Sequence, residues 1–240
     1  MTRAEEIAAR LTEVRERIAA AVARSGRPAG SVRLVAVSKK MPADDVRAAL
    51  DAGQLDFGEN YAQELRDKRA AFEGAGPGAP LPRWHYIGPL QRNKVKFLAG
   101  QVALIQSVAD ADMLEEIDRR AEAAGAEQDC LLQVNVAGEA QKSGAPLAAV
   151  PALLDAFARA RRVSCRGLML IPPFVDDVQQ TRRHFAALRT LREREAAIAR
   201  PRVDLRELSM GMSGDFIEAI AEGATLVRVG TAIFGARVTG

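Results

Sequence analysis

The chain has 240 residues, 48% of them hydrophobic and 27% charged, which is the balance of a soluble globular protein and excludes a disordered chain, a coiled coil or a small disulfide scaffold. Lys and Arg number 34 against 31 Asp and Glu, a formal charge of +3, too small an excess to mark a nucleic-acid binder. The two cysteines, Cys130 and Cys165, lie in apolar strand-like runs and read as reduced core residues. The charged N-terminus lacks a signal-peptide core and no apolar stretch reaches the ~18 residues that span a bilayer, so a soluble, cytoplasmic protein is expected.

A leading helix occupies residues 1–28. Thr2 and Glu5 have capping-box spacing, Ile7, Leu11, Val14, Ile18 and Val22 recur at steps of three or four, and Gly26 and Pro28 stop it. With nothing before it, this helix is expected to pack on the rest of the fold. After it the pattern alternates. Strands are expected at Val32–Ser38, Leu55–Gly58, Trp84–Ile87, Ala103–Val108, Leu131–Val136, Val163–Leu170, Glu207–Met210 and Leu226–Val229. Helices are expected at 42–52, 61–73, 91–99, 110–124, 146–161, 176–198 and 213–222. Pro42 suits a first helical turn, Asp110 and Asp176 suit helix starts, and Gly53, Gly125 and Gly223 suit helix ends.

Strand then helix, repeated, predicts parallel strands with right-handed crossovers. Eight such units in about 200 residues is the arithmetic of a single (β/α)8 TIM barrel, one α/β domain spanning 1–240. An open doubly wound sheet is the alternative, but no Gly-rich turn follows the first strand. The Gly/Pro cluster at 74–82 reads as a loop within the alternation.

Barrel chemistry sits at the C-terminal ends of the strands, and polar residues and glycines gather there: Ser38-Lys39-Lys40, Glu59-Asn60-Tyr61, His85 with Gly88-Pro89, Ser107, Asn135, Ser209-Met210-Gly211-Met212-Ser213, and Arg228-Val229-Gly230-Thr231. Lys39 closes an apolar run. At a dry barrel mouth its amine would be partly desolvated and able to attack a carbonyl. A lysine at a strand end can equally snorkel to water, and alternation does not say which of Lys39 and Lys40 points inward. The glycine turns after strands seven and eight offer backbone N–H groups where barrels hold phosphate, or are simply tight turns. Arg228, among apolar neighbours, could hold a carboxylate, a phosphate or a ring nitrogen, or make a structural ion pair. His85 and His184 lack ligand spacing, so no metal site is expected. His184, beside Arg182 and Arg183, reads as a surface residue on a solvated helix face.

These segments match a known family. In order, LVAVSK (34–39), FGENY (57–61), WHYIGPLQRNK (84–94), KSG (142–144), RGLMLIP (166–172), LSMGMSGD (208–215) and VRVGTAIFGAR (227–237) resemble the pyridoxal-phosphate homeostasis proteins, similar in turn to the N-terminal domain of alanine racemase. The resemblance covers nearly everything past the first helix. It implies a fold-type-III barrel binding pyridoxal 5'-phosphate (PLP), with the cofactor as a Schiff base on Lys39. It also implies a phosphate held by Ser213, Gly230 and Thr231, with Ser209 and Met210 lining the site, Arg228 facing the pyridine nitrogen, and Asn60 and His85 near the cofactor. Lys40-Met41 and Gln141 depart from the common pattern without touching Lys39.

An arginine against the pyridine nitrogen would discourage its protonation and weaken the ring as an electron sink. No counterpart of the racemase's second domain, with its tyrosine acid/base, is expected; Tyr61 and Tyr86 are the two tyrosines. The expected role is therefore to buffer or deliver PLP in vitamin B6 homeostasis, without conventional catalysis. Apo PLP-dependent enzymes are the candidate recipients, and a monomer is expected. The alternatives are a PLP-dependent racemase or decarboxylase of low activity, or a barrel enzyme that uses a lysine Schiff base without PLP.

Overall fold

A computed structural model describes residues 1–74, 76, 78–138, 143–173 and 177–235. Eight parallel strands form the wall: β1 (Arg33–Val37), β2 (Asp56–Glu59), β3 (Arg83–Tyr86), β4 (Leu104–Val108), β5 (Gln128–Asn135), β6 (Val163–Met169), β7 (Val203–Ser209) and β8 (Leu226–Val229). They run in the spatial order β4-β3-β2-β1-β8-β7-β6-β5, and pairing of β4 with β5 closes the ring. The expected TIM barrel is the observed fold. A two-residue strand, Ala145–Pro146, adds to the outside of β5.

The helices are α1 (Arg3–Arg24), α2 (Ala43–Asp51), α3 (Ala62–Phe72), α4 (Ala111–Ala123), α5 (Val150–Arg159), α6 (Val178–Ala196), α7 (Phe216–Ala221) and α8 (Thr231–Phe234). The Thr2 hydroxyl accepts from the Glu5 N–H while Glu5 accepts from the Thr2 N–H, the expected capping box. The five predicted apolar residues of α1 are all buried, each contributing about 1.5–3 kcal/mol. α1 packs on α2, α7 and α8. Arg3 donates to Asp45 and to the Phe234 carbonyl, and Arg27 donates to the Ile220 and Ala224 carbonyls.

The departures are local. The helix expected at 91–99 is a 3-10 segment, Arg92–Phe97. α5 begins at Val150, after a 3-10 turn that follows Pro146. β7 starts four residues early, because its outward charges, Asp204 and Arg206, break the apolar run. Pro42 precedes α2 rather than lying in its first turn. Asp177 caps α6; Asp176, the expected cap, lies outside the described residues. His184 is half-buried on α6 rather than on a surface face. Arg182 and Arg189 of that helix pair with Glu222.

Strand alternation divides the wall into two faces. Val35, Leu104, Leu131, Met169 and Leu226 form a small cluster inside the barrel. Their strand neighbours Ala36, Ile105, Leu132, Leu168 and Val227 belong to the large layer between strands and helices. Cys130 and Cys165 lie side by side on β5 and β6, unlinked and buried. Burial pushes both thiols up, that of Cys165 to about 12.

Candidate functional site

The C-terminal mouth gathers the residues that lie far apart in sequence. β8 pairs with β1, Ala36 opposite Val229, so the turn after β8 meets the end of β1. Gly230 packs on Val37: a Cβ there would lie 3.1 Å from the Val37 carbonyl oxygen and 3.3 Å from its Cβ. The Gly230 N–H donates to Ser213 Oγ at 3.4 Å, which joins the loops after β7 and β8. Gly211 takes φ +91°, and a side chain there would strike Ala219 and Phe216. Asp215 accepts from the Met212 N–H and closes this loop. Burial raises the Asp215 carboxyl, against the pull of the Met212 N–H and of Arg228.

Lys39 follows β1 and is half-buried, whereas Lys40 is exposed, with φ +62°. The segment is clamped from the helix side. Ser38 Oγ donates to Glu59 at 2.7 Å, and Lys68 Nζ of α3 donates to the Ser38 carbonyl, Glu59 and Glu64 at 2.6, 2.6 and 2.8 Å. Glu64 also accepts from the Lys40 N–H. Since Ser38 faces the helices, alternation directs Lys39 to the barrel side. Burial holds the Glu59 carboxyl above the usual range, partly offset by Lys68 and Ser38. Sequence reasoning noted Glu59 at a strand end without giving it a role and passed over Glu64 and Lys68, because their pairing joins β2, α3 and the end of β1.

Arg228 lies inside the barrel, its Nη1 donating to Ser209 Oγ at 2.6 Å and its Nη2 to the Leu170 carbonyl at 2.9 Å. Burial lowers its pKa to about 10, with Asp215 opposing. Asn60, just past β2, has a buried Oδ1 with no hydrogen-bond partner among the described residues. Gly88 seats directly on the Asn60 backbone. Thr231 is exposed at the start of α8.

Two expected residues sit elsewhere. Met210 is fully buried in the apolar layer outside the strands, because alternation turns it away from Ser209. His85 is buried below the mouth, with both ring nitrogens engaged: Nε2 with Asp56 at 2.9 Å and Nδ1 with Gln106 at 2.9 Å. Asp56 and Gln106 were missed; each lies in a short strand whose pattern does not show which of its residues face the barrel interior. Gln141 and Lys142 lie outside the described residues. Among those described, no group of three His, Cys, Asp or Glu could hold a metal ion, and no helix is long and apolar enough to cross a membrane.

The sequence profile of the alanine racemase N-terminal domain family matches residues 10–238. A pyridoxal phosphate homeostasis protein of Aquifex aeolicus is 40% identical over 231 residues, 95% of this chain and 97% of its own length. This chain belongs to that family. A pyridoxal phosphate homeostasis protein of Pseudomonas aeruginosa is 41% identical over 96% of both chains. Among solved structures, PipY of Synechococcus elongatus PCC7942, determined with PLP bound, superposes with a TM-score of 0.82 at 38% identity, covering 95% of this chain and all of PipY.

Proposed function

We propose that the protein binds PLP at the C-terminal mouth, attached through Lys39, and serves intracellular PLP homeostasis by holding the cofactor and handing it on. The observation that carries this is the convergence of a half-buried Lys39 with the Ser213–Gly230 loops on one edge of the barrel. Relatives at about 40% identity named for this role support it, as does a PLP-bound neighbour of the same length class. PLP, when bound, supplies an aldehyde that condenses reversibly with a primary amine, releasing water.

The residues present fit that group. The Glu59–Lys68–Glu64 clamp holds the backbone on both sides of Lys39 and so fixes where its amine can reach. Ser213, the Gly230 turn and Thr231 offer a hydroxyl, a backbone turn with no room for a side chain, and a second hydroxyl, which suits a phosphate. Arg228 offers a fixed donor to the ring nitrogen and disfavours a proton there. The buried, unpartnered Asn60 Oδ1 offers an acceptor to a donor on the ligand. Hand-over requires an incoming amine to displace Lys39, and partial exposure of Lys39 leaves that route open. The expected recipients are apo PLP-dependent enzymes in the cytoplasm, met by a monomer.

Borohydride reduction of the PLP-loaded protein, followed by peptide mapping, tests the attachment. The adduct is expected on Lys39. Lys39→Ala should abolish it while the fold persists, and Lys40→Ala should leave it intact. An adduct on Lys40, or none, overturns the reading. Incubation with single L-amino acids should yield neither D-isomers nor carbon dioxide; sustained turnover of either would make the protein an enzyme.

A further inference from the structure

Inside the barrel one chain of hydrogen bonds crosses five strands. Arg228 Nη1 on β8 donates to Ser209 Oγ on β7, 2.6 Å. Ser209 donates to Gln106 Oε1 on β4, 2.6 Å. Gln106 Nε2 meets His85 Nδ1 on β3, 2.9 Å, and His85 Nε2 meets Asp56 Oδ1 on β2, 2.9 Å. Asp56 also accepts from Arg83 at 2.6 Å. Gln106 and Ser209 are fully buried, and His85, Arg228 and Asp56 are 2%, 3% and 6% exposed. The chain starts near the mouth and ends at the barrel base, where Asp56 and Arg83 line a cavity of about 520 Å³ beneath α1.

The two ends dictate its direction. A guanidinium only donates and an ionised carboxylate only accepts. Asp56 is held ionised: burial pushes it up, but hydrogen bonds from His85 and Arg83 outweigh that and keep it below its ordinary value. The proton on His85 therefore sits on Nε2, Nδ1 accepts from the Gln106 amide, and the Gln106 oxygen faces Ser209. Turning the amide over would set a bare His85 Nε2 against the carboxylate. Every donor then points from Arg228 toward Asp56.

We propose that Gln106 and His85 are positioning residues that, acting through Ser209, orient Arg228 toward the ring nitrogen of bound PLP. This rests on the reading of the mouth as a PLP site. Ser209 has two roles here: it accepts from Arg228 and it donates onward. Without an acceptor at Gln106, its hydroxyl proton would be free to turn toward Arg228 and break the contact. Leu170 O alone would then hold the guanidinium, which could rotate about that single bond. Arg228 is held by a hydroxyl and a carbonyl rather than by a contacting carboxylate, which leaves its outer edge for a ligand; the carboxylate whose charge acts on it, Asp215, is not among its hydrogen-bond partners.

The test uses the visible spectrum of Lys39-bound PLP. Gln106→Leu and His85→Phe should shift the absorption maximum in the same direction as Arg228→Lys, with the Lys39 adduct still formed. In unliganded wild-type protein, nitrogen-15 NMR should find His85 protonated at Nε2 and bare at Nδ1. A bare Nε2 overturns the relay without needing any variant. So does an unchanged spectrum in both variants while borohydride still labels Lys39. Loss of Lys39 labelling in wild type would instead overturn the PLP reading itself and leave the hydrogen-bond chain standing.

Discussion

Two buried cations on opposite faces of the same wall are handled in opposite ways. Lys68, on the helix side, sits directly between Glu59 and Glu64 and takes a third acceptor from the Ser38 carbonyl. Arg228, on the barrel side, touches a serine hydroxyl and a carbonyl, and the carboxylate whose charge acts on it, Asp215, is not among its hydrogen-bond partners. A cation whose charge is answered at contact has nothing left to offer. One whose charge is answered at a distance keeps donors and field for a ligand. Lys68 is a structural clamp, and Arg228 is the cation left open to the proposed ligand.

Removing the clamp should cost most. Lys68→Met strips the pair from the fully buried Glu59, a change worth about 3–5 kcal/mol in a buried ion pair. Urea unfolding should show that loss, and the Lys68→Met/Glu59→Gln double variant should recover part of it. Full destabilisation in the double variant would mean that packing, not charge, is at stake. Arg228→Met should cost less, about 1–3 kcal/mol, because it orphans neutral acceptors rather than a charge, while PLP affinity falls. If Arg228→Met proved the more destabilising, the contrast between the two cations would collapse.

The smallest effect is in pH dependence. The Asp56 carboxyl is lowered from its ordinary 3.8, so its contribution to stability is present above that value and is lost as pH falls through its value in the folded protein. Glu59 is raised, so its contribution has the opposite sign and declines as pH rises through its elevated value. Asp56→Asn should therefore flatten the acid limb of the stability profile below about pH 4. An unaltered acid limb would show that Asp56 is not the charged end of the chain.

Much of the architecture was legible in the residues. The helix α1, with its cap and all five core positions, follows from local spacing, because capping and a 3.6-residue apolar period need no partner to be recognised. Eight strand–helix units implied the barrel, since parallel strands require crossovers and these close at eight. The strand of Val203–Ser209 was half hidden, because outward Asp204 and Arg206 look like loop residues until one face is known to be wet. The helix expected at 91–99 forms instead as a 3-10 segment, Arg92–Phe97.

The site divides along the same line. Lys39, the glycine turns and Arg228 were legible because each breaks a local rule: a lysine ending an apolar run, glycines at a strand end, an arginine inside one. The resemblance already pointed to Lys39 over Lys40; what the residues' own alternation left open was which of the two turns inward, and that depends on the clamp on Ser38, which joins residues 38, 59, 64 and 68. Placing Met210 in the apolar layer and joining His85 to Asp56 and Gln106 required the faces of the strands, which a closed barrel sets through register. The sequence by itself determined the fold class, the family and the ring of strand ends where chemistry gathers, because these rest on short-range pattern. Which side chains face each other across the barrel, and so the line from Arg228 to Asp56, was decided only when eight strands closed and brought residues more than a hundred positions apart within 3 Å.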